Sequence, residues 1–117
     1  MKLKFDVKDR FQPDPYIFED DDGKLYIYVT GLKGVEAYSA EDLFDVWKYR
    51  GVVTKFEKGD DFWAPSVIKY DGKYYMYVSC NVGDNFEFMH AAVSDSPLGP
   101  FTATTLSLIV TVTPAGT

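Results

Sequence analysis

A chain of 117 residues has room for one domain at most, and its 17% aromatic content, with 9 Tyr, 9 Phe and 2 Trp, suits strands that bury large area per residue. A net charge of −6 without any Lys/Arg cluster speaks against nucleic acid or an anionic membrane surface as partner, and no segment is apolar for long enough to span a bilayer. Cys80 is the single cysteine, so no internal disulfide forms. The stretch Met1 to Asp6 has lysines but no apolar run behind them, so it does not read as a signal peptide; the literal expectation is a cytoplasmic protein.

Residues 1–12 are mixed and polar and carry no periodicity. Pro13 and Pro15 then bracket Asp14. A residue before proline is pushed to extended geometry, so Asp14 is expected to begin a strand, with Tyr16 and Phe18 on its side by period-2 alternation. Asp20-Asp21-Asp22-Gly23 is a turn by composition, and Leu25-Tyr26-Ile27-Tyr28-Val29 follows, apolar or aromatic on both faces. A strand of that kind is covered on both sides. Gly31 and Gly34 mark another turn, Val35 to Tyr38 reads as a third strand, and Trp47 to Val53 as a fourth, outer one. Between these last two, Ser39 to Asp42 predicts one short helical turn.

The order then repeats. Trp63-Ala64-Pro65-Ser66-Val67-Ile68 copies the opening Pro13-Asp14-Pro15-Tyr16-Ile17-Phe18, with alanine where the first copy has aspartate. Asp71-Gly72 replaces the acidic turn and Tyr74 to Val78 the central strand; Ser79 to Phe86 reads as a loop, His90 to Ser94 as the third strand, and Ser96 to Phe101 closes the unit. The offsets are 50 at the prolines, 49 in the central strand and 55 at the serine after the third strand, the drift arising from loop lengths. A repeat of about 40–50 residues with four strands is the signature of a β-propeller blade. The expected fold is therefore all-β: two four-stranded antiparallel blades, 13–53 and 63–101, within one partial domain spanning 1–117. Blades stack face to face, and a ring needs at least about four of them, so two alone leave blade faces in water. From Ser96 to Thr117 no residue is charged, and the β-branched run in 102–117 reads either as the start of a third blade or as a truncated or frame-shifted end.

These pieces together resemble glycoside hydrolase family 43, five-bladed propeller enzymes that cleave arabinofuranosides and xylosides. The matching stretches are Asp14-Pro15, Asp22 to Tyr28, Ser39 to Leu43 leading to Trp47, Trp63-Ala64-Pro65, Asp71 to Tyr75 and Ala92 to Phe101. The resemblance implies inversion at the anomeric carbon, which needs one carboxylate to deprotonate water and one carboxylic acid to protonate the leaving oxygen, about 6.5–9.5 Å apart. It maps the base onto Asp14. The tuning aspartate and the glutamate acid belong to the third and fourth blades of the family and have no matching position here.

The residues can be weighed beside that resemblance. A carboxylate at Asp14 has no counterpart at Ala64, so the repeat itself does not require it. Trp63 is either a core tryptophan between blades or a platform for the C–H face of a sugar; Phe62 beside it reads as packing. Asn81, in the second-blade loop with Asp84, Asn85 and Glu87, is the further candidate for sugar contact, while Glu87 is set aside as a stand-in acid because it falls on the next strand. Asp20, Asp21 and Asp22 lack the spacing of a calcium loop and read as a solvated hairpin turn; no metal and no cofactor is expected. His90 reads as structural and Cys80 as a buried thiol. The functional expectation is an inverting glycosidase on arabinose- and xylose-containing carbohydrates, present as a piece inactive alone. The rivals are a non-catalytic carbohydrate-binding piece that closes a ring by self-association through its exposed blade faces, and a remnant without function.

Overall fold

The computed structural model describes residues 3–6, 13–31, 33–56, 60–81 and 87–103; the side chains at 60, 61, 81, 87 and 88 lie outside that description, as does the predicted tail beyond 103. Ten strands are formed and, among the described residues, no helix: β1 (Lys4–Phe5), β2 (Tyr16–Glu19), β3 (Leu25–Val29), β4 (Glu36–Ala40), β5 (Val46–Val52), β6 (Thr54–Lys55), β7 (Asp60–Tyr70), β8 (Lys73–Asn81), β9 (Glu87–Ser94) and β10 (Phe101–Ala103). They make two sheets of the same design, in the order β1-β5-β4-β3-β2 and β6-β10-β9-β8-β7. Within each, four strands run as an antiparallel meander and a fifth, two-residue strand joins the outer edge in parallel, Lys4 opposite Val46 in the first blade and Thr54 opposite Phe101 in the second. Those edge strands were not visible in the sequence, because two residues carry no period.

The repeat holds at the level of register. Tyr16 faces Tyr28 and Ile17 faces Ile27 in blade 1, while Ser66 faces Tyr77 and Val67 faces Met76 in blade 2. It also holds in the backbone: Asp14 has φ 55° and Ala64 φ 50°, both left-handed. Asp14 is therefore not the extended start of a strand. It is a left-handed turn, β2 begins at Tyr16, and the alternation does not carry back to it.

Two further expectations are corrected. The helical turn at Ser39 to Asp42 is absent, since β4 runs to Ala40 and β5 begins at Val46. The interval is a tight turn in which the Asp45 N–H bonds the Asp42 carbonyl at 3.1 Å and the Leu43 N–H bonds Asp42 Oδ1 at 2.7 Å. The Ser79 to Phe86 loop is shorter than expected, because β8 and β9 pair on to Asn81 and Glu87; residues 82–86, with Asp84 and Asn85, lie outside the described residues.

The core is the seam between the blades. Tyr26, Tyr28, Val35 and Ala37 from blade 1 meet Phe62, Val67, Tyr74, Met76, Val78 and Cys80 from blade 2. A second cluster, Ile27, Val29, Tyr38 and Trp47, lies on the other face of blade 1 and is covered by Leu3, Phe5, Leu25, Leu43 and Tyr49. Polar ties close the seam at its buried points. The Tyr28 hydroxyl donates to the Pro97 carbonyl at 2.6 Å, and Gly31 and Phe62 exchange backbone hydrogen bonds of 3.1 and 2.9 Å. Gly31 has no substitute there, because a Cβ would collide with the Gly34 carbonyl oxygen.

Candidate functional site

β2 and β7, the first strand of each blade, begin at the same end of the molecule at which β3 and β8 finish, and both β2 and β3 pack against β7. The topology therefore brings Asp14, Thr30, Trp63, Ala64 and the close of β8 at Asn81 to one end. Asp14 is exposed, and its Oδ2 accepts the Thr30 hydroxyl proton at 3.1 Å. Thr30 in turn accepts the Ala64 N–H at 3.2 Å and gives its own N–H to the Pro13 carbonyl at 3.1 Å. Tyr16 and Phe18 were expected on the side of Asp14; instead they pack into the seam, because the left-handed turn interrupts the alternation.

Trp63 is 48% exposed, on β7 opposite Ser79, and lies outside the packed seam between blades 1 and 2. The buried indole is Trp47, which donates Nε1–H to the Leu43 carbonyl at 3.0 Å. Phe62 is packing, as its sequence neighbourhood suggested, at 1% exposure. Asn81 ends β8 and pairs with Asp60 and Glu87, with its side chain outside the described residues. Glu36, another carboxylate at this end, accepts the Tyr49 hydroxyl and is taken up by it. Cys80 is a buried thiol in the seam. His90 is half-buried beside Phe56, and its Nε2 finds no hydrogen-bond partner among the described residues.

At the opposite end the acidic turn proves not to be uniformly solvated. Asp20 is buried, with its Oδ2 receiving the Tyr74 hydroxyl at 2.5 Å and its Oδ1 the Asp21 N–H at 2.8 Å. Lys69 Nζ stands 2.8 Å from Asp21 and 3.5 Å from Asp20. Burial pushes the Asp20 carboxyl up, but Tyr74, the Asp21 amide and Lys69 together outweigh it and hold the group below the usual carboxylate range. Burial, then the hydrogen bond to Asp20, raises the Tyr74 hydroxyl. This is a polar clamp between blades, and among the described residues no three His, Cys, Asp or Glu side chains converge as metal ligands. A signal for the clamp existed in the sequence: Tyr74 stands where blade 1 has Leu25, and a hydroxyl in a buried register position needs an acceptor.

Two stacked blades whose inner strands open on an exposed carboxylate and an exposed indole define one sector of a β-propeller with a polar-aromatic site at its strand-opening end. Comparison with known proteins sharpens this. Residues 5–112 match Glycosyl hydrolases family 43, and the chain belongs to that family. It is 34% identical over 101 residues to a xylosidase/arabinosidase of Bacteroides ovatus, an alignment covering 68% of this chain and 31% of that protein. Among solved structures, a thermostable family-43 glycoside hydrolase superposes with a TM-score of 0.71 at 34% identity, over 78% of this chain and 31% of the other. A β-xylosidase/α-arabinofuranosidase from a compost microbial metagenome, in complex with xylotriose, gives 0.73 at 26% identity over 86% and 36%. The chain spans about a third of the length of the curated relatives it matches.

Proposed function

We propose that this chain is the portion of an inverting glycoside hydrolase, acting on arabinose- and xylose-containing carbohydrates, that supplies the general base. The observation that carries the reading is Asp14. Its carboxylate is exposed where the innermost strand of blade 1 opens, at a left-handed position whose repeat partner in blade 2 is Ala64. The blade needs the bend and not the acid, so the acid has another task. In that role Asp14 takes a proton from water as the oxygen attacks the anomeric carbon opposite the leaving group, while a carboxylic acid on the other face protonates the departing oxygen. Trp63 offers an exposed ring on which a sugar's C–H face stacks, and Asn81 is the neighbouring candidate for hydroxyl contact. The acid and the tuning aspartate belong to family blades beyond the matched third.

It follows that the 117-residue chain alone shows no appreciable turnover of aryl xylosides or arabinofuranosides. Turnover that disappears in Asp14→Ala would refute this. Joining residues 1–103 to blades three to five of an active relative tests the base itself. The chimera is expected to hydrolyse an aryl xyloside, and Asp14→Ala to lower its kcat by about 10²–10⁴-fold; unchanged kcat removes Asp14 from the mechanism. The half-exposed Tyr75 and Tyr77 favour a second reading, a non-catalytic carbohydrate-binding piece that closes a ring by self-association. Analytical ultracentrifugation separates the two, since a strict monomer excludes ring closure.

A further inference from the structure

Thr30 stands just after β3, between the two blade openings, and its amide and hydroxyl are both committed. Its N–H holds the Pro13 carbonyl at 3.1 Å, its Oγ1 receives the Ala64 N–H at 3.2 Å, and its hydroxyl proton points to Asp14 Oδ2 at 3.1 Å. A hydroxyl has one proton to give. Because the amide of Ala64 occupies an acceptor position, the proton is left for the carboxylate, and its direction is settled by backbone from the other blade. The adjacent Gly31–Phe62 pair fixes that backbone on both sides of the seam.

Ala64 supplies a second, independent observation. Aspartate tolerates a left-handed backbone because its short polar side chain bonds locally, whereas alanine has no such compensation. Ala64 nevertheless keeps φ 50°, against 55° at Asp14, and its N–H makes the bond to Thr30. We propose that Thr30 is a positioning residue for Asp14, and that the blade-2 position equivalent to Asp14 serves to orient the blade-1 carboxylate through it. This rests on the reading of Asp14 as the base. Oδ2 is held by Thr30, and among the described residues Oδ1 takes no hydrogen bond, so Oδ1 is the oxygen left to face the attacking water. Seating the second blade thus sets the carboxylate's rotamer before any sugar arrives.

The test is NMR on the isotopically labelled 117-residue chain without sugar, following the Asp14 carboxyl carbon and the Ala64 amide in Thr30→Val and Thr30→Ser. Valine keeps the shape of threonine and removes the hydroxyl. Both signals are expected to shift in Thr30→Val while those of Tyr74 and Asp20 stay in place, and both to return in Thr30→Ser. An Asp14 carboxyl signal unmoved by Thr30→Val, or not restored by Thr30→Ser, overturns the proposal. Should Thr30→Val fail to fold, Asp14→Ala at an exposed site replaces it. The Thr30 side-chain signals must then shift, and their constancy overturns the proposal equally. Failure of the underlying base reading looks different. It would leave this signature intact while Asp14→Ala left the kcat of the chimera unchanged.

Discussion

Tyr28 and Tyr77 occupy the same place in the two blades, opposite Tyr16 and Ser66, yet Tyr28 is wholly buried and Tyr77 is half exposed. The same holds two pairs along, where Tyr26 is buried and Tyr75 is not. On the other face of these strands the equivalents agree. Ile27 and Val29 are buried beneath Leu3 and Phe5, and Met76 and Val78 are buried against blade 1. Each blade therefore has one face that packs on the chain N-terminal to it and a face of tyrosines suited to packing on the next blade. In blade 1 that next blade is blade 2. Burial of a blade residue is thus set by its neighbour blade rather than by its own strand, which matches a chain spanning about a third of its relatives.

Truncation at the paired tyrosines is expected to give the largest effect. Tyr28→Ala opens the seam and leaves the Pro97 carbonyl without its donor, and it is expected to cost about 3–5 kcal/mol. Tyr77→Ala removes a half-exposed ring and is expected to cost about 1 kcal/mol or less. Urea unfolding measures both, and equal losses would show that the two tyrosine faces are alike in the chain. The clamp at the far end sharpens the picture through pH. The Asp20 carboxyl is held low when folded, so its contribution is present above the unfolded value of 3.8 and is lost as pH falls through the lower folded value. Asp20→Asn is therefore expected to be less stable by about 1–2 kcal/mol at pH 7, with the gap to the parent chain narrowing below about pH 4. A gap that stays constant in acid would take Asp20 out of the seam's energetics. The smallest effect is expected at the exposed end: Asp14→Ala changes unfolding free energy by under about 1 kcal/mol, since Ala64 already holds the same bend in blade 2.

Much of this fold was legible because the repeat carries its own control. The central strands 25–29 and 74–78, the acidic turns and the aspartate that blade 2 lacks all emerge from laying one copy over the other, and Phe62 and Cys80 sit in the core as their neighbourhoods suggested. The features that escaped depend on neighbours in space. β1 and β6 exist only because the outer edges of β5 and β10 offer parallel partners. Asp14 is left-handed despite the steric bias of a residue before proline, and Ala64 before Pro65 is bent the same way, so the bend belongs to the blade opening, where the Thr30 N–H holds the Pro13 carbonyl. The helical turn at Ser39 to Asp42 failed because strand pairing consumed its first two residues. Asp20 was grouped with Asp21 and Asp22 on composition, although Tyr74 across the seam sets it apart.

Titrating the labelled chain with xylotriose and mapping the perturbed signals asks whether the Asp14–Trp63 end is a carbohydrate site. Shifts are expected to gather at Asp14, Thr30 and the Trp63 indole, and to be abolished in Trp63→Ala. Shifts centred on Asp20 and Tyr74 instead, or a response that persists in Trp63→Ala and spares Asp14, would contradict it.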